Sequence, residues 1–277
     1  MNENKDIFVI SDLHMGDCGP RDNFAVEDKE KQLDLFLDFV KEENGELIIV
    51  GDLFEFWQAS LGKVLVKRRP LIDRLSDMGA TFVIGNHDSD LEALIGSDIL
   101  GPRFFKKMSR AFFRTISGKK FKFMHGHEVD PVNKGDTPGL GRIVAIFAGI
   151  CEDINRSPIL HTGETVENKL LRIWIWLKMK FKEIIIRGRR RELTPAQNPK
   201  RATKMLEEYK KDRMKEGYDI AIVGHTHKVG KFEDWYFNSG CWTEATNNFL
   251  RISDDGTVRV FDWENGKAIP NGTVLSD

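Results

Sequence analysis

Cysteine is scarce in this chain. Cys18, Cys151 and Cys241 are the whole complement, widely spaced and never paired as Cys-x-x-Cys. That excludes a disulfide framework and a thiolate zinc site, and it leads us to expect a reduced, cytoplasmic setting. Long apolar runs are also missing. The longest, Ile143 to Cys151, is nine residues, far short of the ~20 that cross a bilayer as a helix. The opening MNENKDIFVI has no basic start, apolar stretch or small-residue cleavage site, so no secretion signal is expected. Neither an internal repeat nor a low-complexity tract is present. Charge of one sign is absent overall: 42 Lys+Arg stand against 43 Asp+Glu, a net of -1. What remains is 277 residues, 40% apolar and 31% charged, the composition of a globular chain large enough to bury roughly 75% of its unfolded surface.

The overall balance conceals a separation. Residues 167–216 carry 16 Lys/Arg and 7 Asp/Glu, while the rest carries 26 and 36. A basic segment inside an acidic chain points to a partner or substrate. Outside that segment, short apolar runs alternate with helical spacing. Strands are predicted at Ile7–Ile10, Leu47–Val50, Thr81–Ile84, Ala111–Ile116, Phe121–Met124 and Asp219–Val223, with three more near 235–238, 248–252 and 258–262. Helices are predicted over 29–43, with Leu33, Phe36, Leu37 and Val40 on one face, and over 64–78. Strand–helix alternation implies parallel pairing with right-handed crossovers. Residues 131–216 break the alternation and read as a helical insert in a single α/β domain spanning 1–277.

Six of the seven histidines, His14, His87, His125, His127, His225 and His227, sit just beyond a predicted strand; His161, in the insert, reads as a surface residue. In open α/β sheets, ligand sites form at the carboxyl ends of strands. Singly, Asp12-Leu-His14, Gly51-Asp52, Gly85-Asn86-His87, His125-Gly-His127 and Gly224-His225-Thr-His227 are each ordinary turns. Together, five strand ends deliver carboxylate, imidazole and amide oxygen to one rim, a donor set without thiolate that suits Mn²⁺, Fe, Zn²⁺ or Co²⁺.

The ordered set SDLH (11–14), GDLFEF (51–56), GNHD (85–88), HGH (125–127) and GHTH (224–227) resembles the calcineurin-like metallophosphoesterase superfamily. The Phe-Glu after GDL, the insert before GHTH and NSGCW (238–242) resemble its UDP-2,3-diacylglucosamine diphosphatase subfamily in particular. The resemblance implies a four-layer α/β/β/α sandwich of two mixed sheets with a helical lid at 131–216. It also implies two divalent ions, Mn²⁺ first, that clamp and polarise a phosphoryl group and acidify a bound water. By matching positions, Asp12, His14, Asp52 and His227 would hold one ion, and Asp52, Asn86, His125 and His225 the other, with Asp52 shared. His87 would protonate the leaving oxygen or stabilise the developing charge, its ring oriented by Glu55 or by Asp88. His127 is either a substrate contact, a support or structural. Two positions depart from the subfamily, whose pattern has Arg where His87 stands and HGD where HGH stands.

Within the insert, NKLLRIWIWLKMKFKEIIIR (168–187) interleaves Trp174 and Trp176 with Lys and ends at Arg187, followed by Arg189–Arg191. Such a helix suits a membrane interface on the inner face, an acyl-chain pocket, or simple packing; Trp174, Trp176 and Arg187 are the substrate contacts expected there. The tract 200–215 reads as an amphipathic surface helix with solvated charges. The function expected is hydrolysis of a phosphoester or diphosphate, such as a UDP-linked acylated sugar of a lipid A pathway. The alternatives are a nuclease or general phosphodiesterase that uses the basic tract on a nucleic-acid backbone, and a non-catalytic scaffold on the same fold.

Overall fold

The alternation of side chains along a strand decides which layers the chain can build. In the first strand, β1 (Ile7–Ile10), all four residues are buried, so both faces must be covered. The computed structural model, which describes residues 5–19, 22–25, 28–97, 105, 107–130, 199–243 and 247–272, shows by what. Phe8 and Ile10 join a cluster with Leu33, Phe36, Leu37 and Val40 of helix α1 (Lys29–Glu42). Ile7 and Val9 join another with Phe121, Phe123, Ile220 and Ile222 of a second sheet. A third cluster covers that sheet's far face, where Met124, Ala221 and Val223 meet Met205 and Tyr209 of a helix. The order is helix, sheet, sheet, helix: the four-layer sandwich. Each fully buried Leu or Phe in these layers is worth about 1.5–3 kcal/mol relative to exposure.

The larger sheet adds β2 (Glu46–Val50), β3 (Thr81–Val83), β4 (Lys107–Ser109), β10 (Asn247–Ile252), β11 (Val258–Glu264) and β12 (Lys267–Pro270). Its order is β12-β11-β10-β1-β2-β3-β4. The smaller contains β5 (Ala111–Ile116), β6 (Lys119–Met124), β7 (Ile220–Val223), β8 (Gly230–Glu233) and β9 (Tyr236–Asn238), in the order β5-β6-β7-β9-β8. Strands β1, β2 and β3 are mutually parallel, and so are β6 and β7. Their carboxyl ends therefore lie along one edge of each sheet, and the two edges meet.

Two local expectations change. The single helix predicted over 64–78 is two, α2 (Leu61–Lys67) and α3 (Arg69–Asp77), with Pro70 starting the second; proline is tolerated in a first helical turn and costly further in. The tract 200–215 belongs to α4 (Pro199–Glu216), but its charges are not all solvated. Arg201 is buried and Lys122 of β6 is salt-bridged to Asp212 and Glu216. Residues 131–198 lie outside the described residues. The expectations for the rest of the lid, the 168–191 tract, Cys151, His161, Trp174, Trp176 and Arg187 lie there too. Among the described residues no helix is long and apolar enough to cross a membrane.

Candidate metal centre

Three of the strands that reach the shared edge, β1, β2 and β7, stop by turning the chain into the left-handed region. Asp12 (φ 55°), His14 (48°), Asp52 (50°), His225 (70°) and His227 (58°) are all there, a conformation in which non-glycine residues are uncommon and which Asp and His tolerate better than most. The turns then interlock. Asp12 and His14 donate their backbone N–H groups to Gly51 and Asp52 carbonyls at 3.1 and 2.9 Å, and Gly224 donates to the His125 carbonyl at 3.0 Å. Close approach explains Gly51: a Cβ there would lie 2.2 Å from His125 Nδ1, and its φ is +92°. Strained turns held by their neighbours are a frequent mark of a working site.

The side chains converge in linked groups. Asp12 Oδ1 lies 3.2 Å from His227 Nε2 and 3.8 Å from His14 Nε2, and the two imidazole nitrogens are 3.2 Å apart. Asp52 Oδ2 lies 3.7 Å from His14 Nε2 on one side and 3.1 Å from His125 Nε2 on the other. Asn86 Oδ1 is 3.1 Å from His125 Nε2. Asp52, His125 and His225 form one group of metal-capable atoms, and Asp12, His14 and His227 another. Asp52 thus stands between the two halves, and the seven proposed ligand positions share one rim.

Its chemistry fits cations. Asp12 is fully buried, yet its Oδ1 has no hydrogen-bond partner, an arrangement that is costly unless something positive faces it. Its Oδ2 is engaged by the Ser11 hydroxyl and by the His225 N–H, the latter at 2.9 Å. Burial would raise the Asp12 carboxyl, but His227 and His14 hold it far below the usual range. Burial likewise opposes ionisation of Asp52, and the facing His125 and His87 outweigh it. Burial would lower His125 and His227; Asp52 pushes the first up to about 10 and Asp12 the second to about 9. The facing imidazoles are thus drawn toward positive charge by these carboxylates. A cation would take that role, since ligand imidazoles bind metal in their neutral form.

Around this rim, Glu55 meets two rings at once: its Oε2 is 2.7 Å from His87 Nδ1 and 3.3 Å from His14 Nδ1. Burial would raise Glu55, yet His87 and His14 take it down to about 2. Asp88, the alternative partner for the His87 ring, is committed elsewhere. Its carboxylate accepts backbone N–H groups from Gly85 (2.6 Å), Leu53 (2.7 Å) and Phe54 (3.3 Å), tying two motif loops together. Burial and the Asp52 charge push it up to about 7. His127 is mostly buried beside His125, its Nδ1 lacks a hydrogen-bond partner, and burial takes it down to about 4.

Three residues here went unread in the sequence. Trp57 stacks on the His87 ring at 3.6 Å and donates its indole N–H to the Asn86 carbonyl at 3.0 Å. Asp130 lies 2.7 Å from His225 Nε2 and pairs with Arg201. Trp57 follows GDLFEF directly, so its position was available as a signal. Nothing in the spacing marks Asp130 or Arg201.

The family profile described as calcineurin-like phosphoesterase matches residues 5–229, well over half of the chain. No curated protein matches. Among solved structures, vacuolar protein sorting 29 from Cryptosporidium parvum is 14% identical at TM-score 0.43, with 96% of this chain and 94% of that one covered. A novel archaeal phosphodiesterase is 14% identical at TM-score 0.42, covering 93% and 99%. A dimetal phosphatase from Danio rerio is 10% identical at TM-score 0.45, covering 95% and 100%. Likenesses at that level say nothing of substrate.

Proposed function

The chain belongs to the calcineurin-like phosphoesterase family, and from that membership we propose that its rim of seven side chains holds two divalent cations and hydrolyses a phosphoester or diphosphate. The observation that carries this is the buried Asp12 Oδ1, which accepts no hydrogen bond and faces the converging imidazole nitrogens of His227 and His14. Asp12, His14, Asp52 and His227 would hold one ion, and Asp52, Asn86, His125 and His225 the other. Such ions, Mn²⁺ first with Fe, Zn²⁺ or Co²⁺ as alternatives, would polarise the phosphoryl group and acidify a bound water.

The chain's own residues do the rest. His125 Nδ1 faces the Val50 carbonyl at 2.8 Å and therefore donates its proton there, which leaves Nε2 for a cation. Glu55 plays the same part for His14 through Nδ1 and also holds Nδ1 of His87. With Nδ1 occupied, His87 exchanges a proton through Nε2, the role of a general acid toward the leaving oxygen. Trp57 covers the ring and fixes the peptide between Asn86 and His87. Asp88 keeps the two loops in register.

The substrate we infer is a UDP-linked acylated sugar or a similar amphipathic diphosphate. Support comes from the sequence: the Phe-Glu after GDL, NSGCW, and the basic, apolar tract 168–191 suited to an acyl chain, a membrane surface or both. A panel assay with Mn²⁺ tests it. Turnover of the lipid-linked diphosphate that depends on detergent is expected. Turnover of DNA that collapses between 50 and 200 mM salt would replace this substrate with nucleic acid.

A further inference from the structure

We infer that Asp130 and Arg201 position His225 for the second cation, so that helix α4 braces that half of the site. The inference rests on the dinuclear reading above and adds two residues outside its seven ligand positions.

Asp130 is completely buried. Arg201 Nε donates to its Oδ1 at 3.0 Å, and Arg201 Nη2 also donates to Oδ2. His225 Nε2 lies 2.7 Å from that same Oδ2. A guanidinium keeps its proton, so its bidentate partner is an ionised carboxylate, and an ionised carboxylate only accepts. The proton between Asp130 and His225 therefore sits on Nε2. In a neutral ring protonated at Nε2, the lone pair is on Nδ1, which makes Nδ1 the ligand atom. His225 already belongs to the group formed with Asp52 and His125. Its backbone N–H is held by Asp12 Oδ2 at 2.9 Å, so main chain and ring are fixed by different carboxylates.

Helix α4 meets the same loop a second time. Tyr209, about two turns beyond Arg201, is fully buried and directs its hydroxyl at the Gly126 carbonyl, 3.4 Å away. A Cβ at residue 126 would lie 2.3 Å from that hydroxyl, and φ there is +114°. The HGH loop is thus shaped to admit the helix. A buried Arg–Asp pair is a poor source of stability, since desolvation offsets most of its attraction. Its gain here is orientation of a ligand, the outer support that metal-binding histidines commonly need.

The full-length chain, stripped of metal and titrated with Mn²⁺, separates the possibilities. Wild type should take up two ions. Asp130→Asn should weaken one of them by ~10–100-fold while the other stays within about twofold, and Arg201→Met should shift the same ion in the same direction. Two-bond ¹H–¹⁵N spectra of the Zn²⁺-loaded wild type should show His225 protonated at Nε2 and metal-bound at Nδ1, a signature that a merely structural role would not set. Unchanged affinities in both variants, equal loss of both ions, or the opposite tautomer would overturn the inference and leave two-metal binding standing. A wild type that binds fewer than two ions would overturn the dinuclear reading and this inference with it.

Discussion

One oxygen of Glu55 serves both His14 and His87, so a proposed ligand and the proposed acid depend on the same carboxylate. His87→Ala should keep both cations, because His87 lies outside the seven ligand positions, while its rate falls ~10²-fold or more. Metal analysis and turnover of a chromogenic phosphodiester check both halves; loss of a cation would make His87 a ligand. Glu55→Gln should lower turnover and also weaken the ion at His14, by ~10-fold or more, which a titration would resolve. The positions gathered at the rim were legible in the sequence because each follows a short apolar run at a strand end. Glu55 against Asp88 was not decided there. That choice depends on which carboxylate the backbone N–H groups of residues 53, 54 and 85 capture, a matter of loop packing. Asp130 lies 95 positions from His225 and 71 from Arg201, and no periodicity reports such pairings.

Elements show the same division. Strands buried on both faces were legible as apolar runs because nothing polar can occupy either side. The strands that went unread lack that signature. Strand β4 is a three-residue edge, β8 is half-exposed and carries a register irregularity, and β12 is a mostly exposed edge ending in proline. Helix α4 was legible as amphipathic, but its polar attachments to the sheet were not. Lys122 sits beneath it, 2.6 Å from Asp212 and 2.7 Å from Glu216. Burial would lower this lysine, yet the two carboxylates raise it above its ordinary 10.5. A raised lysine contributes stability that is complete below the unfolded value and lost as pH climbs through the folded one. Lys122→Met should therefore cost about 1–2 kcal/mol at neutral pH, since its partners are partly exposed. The deficit relative to wild type should shrink above the ordinary lysine value. Paired thermal melts across that range test this; a deficit independent of pH would locate the effect in packing instead.

At the scale of the whole molecule, two sheets packed face to face bring the carboxyl ends of five strands to one line, and the left-handed turns aim carboxylates inward. Burying those charges stores a cost that a cation would relieve. Mn²⁺ at 100-fold above its Kd should stabilise the fold by about 2.7 kcal/mol per site, or ~5–10 °C in Tm per site for a chain of this size, and a chelator should reverse the gain. Tm unmoved by Mn²⁺ would mean that the buried carboxylates are satisfied without it. The most direct measurement is the number of metal ions retained per chain after loading with Mn²⁺ and desalting, taken for wild type and for Asp52→Ala. Because Asp52 is the ligand shared by both proposed ions, the account predicts two ions and turnover in wild type, and neither in the variant. Two tightly held ions and near-normal turnover in Asp52→Ala would contradict it.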